Sequence, residues 1–125
     1  MLVLATLVAN PAQAITLSLV APTSLASIVQ TMNTSASDAA TQVTGCSALA
    51  RAVPTSSKAA QDRAASAGVI DVSIAAMQHF PDVKEVQVAC SHAVANLILF
   101  NRQNGLRAGR LGGLNCTLAA YSKWM

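Results

Sequence analysis

The chain matches itself when shifted by 45 residues, and this self-similarity constrains its fold more than any other feature. "TQVTGCSALARAV" (41–53) falls on "VQVACSHAVANLI" (86–98), so Gln42 meets Gln87, Val43 meets Val88, Ala48 meets Ala93 and Ala50 meets Ala95. At the same offset Met32 meets Met77 and Gly68 meets Gly113, with Val69 and Leu114 following the glycines. Shifted the other way, Leu4, Ala5 and Val8 fall on Leu49, Ala50 and Val53. This reading needs no gap. A constant register that aligns Met, Gln and Gly together describes an array of equivalent units.

Within one period the punctuation predicts helices. "VIDVSIAAMQHF" (69–80) is an apolar-rich helical run that follows Gly68, a helix-ending residue, and stops at Pro81. Asp82 is then expected to cap a longer helix over about 83–100, with Glu85 at the third position completing a capping box. Along it Val86, Cys90, Ala93, Leu97 and Phe100 recur at intervals of four and three, one helical stripe. A short polar helix over about 102–110 precedes Gly112-Gly113. The preceding period reads alike: a helix over 24–32, Asp38 as cap, a helix to Val53, Pro54 as stop, and a short helix ending at Gly68.

Composition agrees with helices. The chain is 53% hydrophobic but only 3% aromatic, so its core must be filled by small aliphatic side chains. Ala is the best helix former and a poor strand former, which favours stacked helices over a sheet. The net charge is +3. All acids lie at or before Glu85, so by sequence nothing opposes Arg102, Arg107, Arg110 and Lys123.

A period of 40–47 residues with two or three helices is the armadillo/HEAT range, and the residues resemble the armadillo repeat. "NRQNGLRAGRLGGL" looks like its short first helix and closing glycine, and "VIDVSIAAMQHFPDVKEVQVACSHAVANLI" like its second and third helices. The resemblance implies an all-α right-handed superhelix. Residues 22–66 and 67–111 would be full repeats, with 1–21 and 112–125 as partial ones. It further implies that the third helices line a concave groove that binds a protein or peptide. Asn96 falls on the family's ligand-pairing Asn and His92 on its Trp. Ser47 and Arg51 occupy the same positions one unit earlier, as Leu2 and Thr6 do before that. Arg102, Arg107 and Arg110 form a second, basic candidate surface.

Cys90, Ser91 and His92 are consecutive, yet on one helix Cys90 and His92 face opposite ways and cannot act on each other. Cys46 and Cys90 read as small core hydrophobes. Cys46, Cys90 and Cys116 occupy different phases of the repeat and show no CxxC spacing, so neither a disulfide framework nor a metal site is expected. That argues for a reducing, cytoplasmic setting. No phosphate loop, nucleophile elbow or aromatic-interleaved basic patch is present, so the expectation is a non-catalytic interaction scaffold without cofactor, metal or nucleic acid. Self-association through exposed repeat ends is also expected. No apolar run is long enough to span a membrane. The alternative is a small secreted or organellar helical protein: "MLVLATLVANPAQA" offers a short apolar run and an Ala-x-Ala end, with a cut after Ala14.

Overall fold

The computed structural model describes residues 24–53 and 57–124. The readings made for residues 1–21, the cut after Ala14 and the stop at Pro54 lie outside them. Among the described residues the chain is all-α: α1 (Leu25–Thr34), α2 (Ala39–Ala52), α3 (Lys58–Ser66), α4 (Val69–His79), α5 (Lys84–Ile98), α6 (Arg102–Arg110) and α7 (Gly113–Trp124). No strand occurs among them.

The 45-residue offset reappears as hydrogen bonding. Gln42 Nε2 donates to the carbonyls of Met32 and Ser35, both at 3.0 Å. Gln87 Nε2 donates to those of Met77 and Phe80, both at 2.9 Å. In each pair a buried amide from the longer helix closes carbonyls at the C-terminal end of the helix before it, groups that no intrahelical donor can reach. Gln87→Leu should therefore cost about 2 kcal/mol, because two buried carbonyls lose their donor. A urea melt measures this, and an unchanged midpoint would remove the amide from the stabilising contacts.

Helices α2 and α5 lie side by side and parallel. Cys46 is bonded to Cys90, with Cα atoms 4.9 Å apart, and further along Asn96 Nδ2 donates to the Ala50 carbonyl at 2.7 Å. The core between them and α4 is aliphatic and sulfur-rich, built from Met32, Leu49, Ile70, Ile74, Met77, Val86, Val94 and Leu97. Gly45 is needed where α2 crosses α1, since a Cβ there would lie 2.5 Å from Met32 Sδ.

Four details differ from the sequence reading. First, α5 is preceded by Val83, which has no side-chain cap bond, so the Asp82–Glu85 capping box does not form. Val83 holds the place that Asp38 holds before α2, and Asp82 instead pairs with Lys123. Second, Val86, Cys90, Ala93 and Leu97 are fully buried, but Phe100 is 93% exposed at φ 55°. The helix has already ended at Ile98, where Gln61 Nε2 takes the carbonyls of Asn96 and Leu99 and Asn101 caps α6. Third, the left-handed glycines are Gly68 (φ 93°) and Gly112 (φ 87°), not Gly68 and Gly113. The linker after α5 is shorter than the one after α2, so the register slips by one residue there.

The fourth concerns the cysteines. A disulfide joins Cys46 to Cys90, whereas Cys116 is free. Equal phase was the wrong criterion for pairing. When like units stack head to tail, the leading face of one meets the trailing face of the next, so touching residues must come from different phases. The reducing, cytoplasmic reading is overturned with it, because buried disulfides form and persist in oxidising compartments.

Candidate functional site

The residues singled out on α2 and α5 divide into two groups. Ser47 and His92 line one shallow depression of about 440 Å³ between the helices, together with Val43, Lys84, Glu85, Val88 and Ala89. Ser47 is half-buried and His92 exposed. The floor is apolar, from Val43, Val88 and Ala89, while Lys84 and Glu85 bring opposite charges. These lining residues follow from helical spacing, because Val43 stands four before Ser47, and Lys84 and Val88 stand eight and four before His92.

Arg51 and Asn96 lie further along the pair, outside that depression. Arg51 is exposed on the last turn of α2. Asn96 is half-buried, and its amide is engaged within the chain, donating to the Ala50 carbonyl near the end of α2. It thus closes a helix-end carbonyl, as Gln42 and Gln87 do. Asn96→Ala should cost about 1 kcal/mol, whereas Arg51→Ala and His92→Ala should each stay within about 0.5 kcal/mol. Parallel thermal melts of the three variants test this. Equal, negligible losses would show that the Asn96 bond contributes nothing.

The basic candidate surface is smaller than the sequence implied. Arg107 makes a two-pronged pair with Asp71, Nε at 2.9 Å and Nη2 at 2.7 Å from its carboxylate oxygens. Asp71 holds the guanidinium above its ordinary pKa through that hydrogen bond. Lys123 reaches Asp82. Packing of α6 on α4, and the approach of α7 to the start of α5, bring these charges together from about 40 positions apart in sequence. Arg102 and Arg110 are exposed without an acidic partner among the described residues. Arg107 and Arg110 border a second open depression, about 370 Å³, with Asp62, Ala65, Ser66, Gln103 and Asn104.

A buried polar cluster behind that depression was not foreseen. Asn101 Nδ2 donates to Gln61 Oε1 and Asp62 Oδ1, and Asn104 Nδ2 donates to the Leu97 carbonyl at 2.8 Å. Hydrogen bonds from Lys58 and then Asn101 hold the Asp62 carboxyl below its usual range. These groups fasten α3, α6 and the end of α5 to one another. Gln61, Asn101 and Asn104 are buried and bonded within the chain, so they position helices, while Asp62 and Asn104 also border the depression. Asn101 and Asn104, in a cap-like "NRQN" string, were the available signal.

Among the described residues no three His, Cys, Asp or Glu side chains are grouped so as to hold a metal ion, and no helix is long and apolar enough to cross a membrane. Comparison of the chain with family models, with characterised proteins and with solved structures finds no match.

Proposed function

We propose that this is a small helical binding protein of an oxidising compartment, secreted or lumenal, in which a disulfide locks two parallel helices side by side. The Cys46–Cys90 bond carries this reading. A secretory route also accounts for the apolar "MLVLATLV" start and the Ala-x-Ala end at Ala12–Ala14, with cleavage after Ala14. The protein works by binding, not catalysis. Its armadillo-like repeats stack as a right-handed superhelix, and a protein or peptide lies along the α2–α5 face over Ser47, Arg51, His92 and the Val43–Val88 floor. The recurrence of the Gln42 and Gln87 bonds supports the repeat architecture.

Expression of the whole reading frame with secretion, followed by intact mass and by thiol labelling in denaturant, which exposes the buried Cys46 and Cys90, tests the compartment. The expected product starts at Ile15, and without reductant only Cys116 is labelled. Reductant should open two further thiols. A product that keeps Met1, with all three cysteines labelled without reductant, would exclude the secretory reading.

A further inference from the structure

We propose that the depression between α3 and α6 binds a small hydroxylated carboxylate of the sugar-acid class, held by Arg107 and Arg110. The site is separate from the α2–α5 face. Its walls are two helical stripes. Asp62 and Ser66 stand four positions apart on α3, and Gln103, Arg107 and Arg110 recur at intervals of four and three on α6. The space between them, about 370 Å³, falls in the range of small-molecule sites.

The charges around the depression fit one anion. Lys58 holds one oxygen of Asp62 at 2.8 Å and Asn101 donates to the other at 2.9 Å, so that carboxylate is engaged within the chain. Asp71 grips Arg107 through Nε and Nη2, which fixes the guanidinium and leaves its Nη1 edge to donate elsewhere. Arg110, three positions on, is exposed and has no acidic partner among the described residues, which include every Asp and Glu of the sequence. Once Asp62 balances Lys58 and Asp71 balances Arg107, one positive charge remains, the complement of a single carboxylate. The arginine fork matches a carboxylate in two-pronged geometry. The neutral groups favour a polar ligand body. Asn104 is 4% exposed, and its Nδ2 is spent on the carbonyls of Gln61 and Leu97, at 3.3 and 2.8 Å. Nothing among the described residues donates to its Oδ1, which is not sealed from solvent. That oxygen is what Asn104 can offer a ligand hydroxyl. Ser66 and Gln103, both exposed, add a hydroxyl and an amide to the same lining.

The test titrates the full, oxidised chain with sodium glucuronate and follows the backbone amide signals, with glucose and sodium chloride as comparison titrants. Saturable binding in the millimolar range is expected, with shifts confined to α3 and α6. Arg110→Gln removes a charge-assisted hydrogen bond and should weaken binding at least about tenfold. Gln103→Glu places a charge of the ligand's own sign in the depression and should abolish it. Arg102→Gln, on the same helix but outside the depression, should leave the affinity unchanged. All three side chains are exposed, so circular dichroism should show each variant folded, and either α6 variant lining the depression suffices if the other is not. Absence of saturation at tens of millimolar glucuronate would overturn the proposal. An equal response to glucose would also do so, because the carboxylate would then go unread. Equal shifts with chloride, or an equal loss in Arg102→Gln, would reduce the effect to diffuse attraction and overturn it as well.

Discussion

Replacing Cys46 and Cys90 together by alanine is expected to destabilise the protein by about 4 kcal/mol, the largest effect of any small change in this chain. The disulfide spans 44 positions, and the stabilisation comes mainly from closing that loop in the unfolded chain. The loop-entropy relation gives about 4 kcal/mol for a loop of that length. Alanine keeps the site apolar and small, so a modest packing loss adds to it. For a chain of this size each kcal/mol moves the melting temperature by roughly 4 °C or more, so a drop exceeding about 15 °C is predicted. Reductant should produce a similar fall in the unaltered protein and no further fall in the double variant. Cys116→Ala, at a half-buried thiol outside the bond, should change little. If reductant left the melt unmoved, the two thiols would not be paired in the folded protein.

Leu97→Ala should cost about 3–4 kcal/mol, within the usual range of 2–5 for deleting a buried leucine. Leu97 is fully buried on α5, the helix that touches every other helix except α1 to a substantial degree. A cavity there is walled by elements already tied to one another. Gln61 seals the end of α5, and Asn104 holds the Leu97 carbonyl itself. The surroundings can collapse little, which places the loss in the upper half of the range. Leu106→Ala, about half exposed on α6, is the matched control and should stay within about 0.5 kcal/mol. Equal losses at the two positions, read from urea midpoints, would contradict the central place given to α5.

The sequence by itself determined what depends on local chemistry and on periodicity. Gly68 and Pro81 mark helix ends, the spacing of Val86, Cys90, Ala93 and Leu97 selects a buried face, and the shared offset of Gln42 and Gln87 predicts equivalent helices. Those signals survive because a helix buries one face whatever its neighbours are. Only the tertiary structure decided which helices meet and through which residues. The pairing of Cys46 with Cys90, of Arg107 with Asp71 and of Lys123 with Asp82 joins residues of different phase and distant number. A repeat aligns like with like, whereas stacking brings unlike faces together, so an alignment of units cannot display such contacts. The same reason explains Asn96: its position in the repeat suggested a free amide, but the neighbouring helix ends within its reach and takes the bond. Phe100 left the apolar stripe because Gln61, from another helix, helps end α5 before the stripe does.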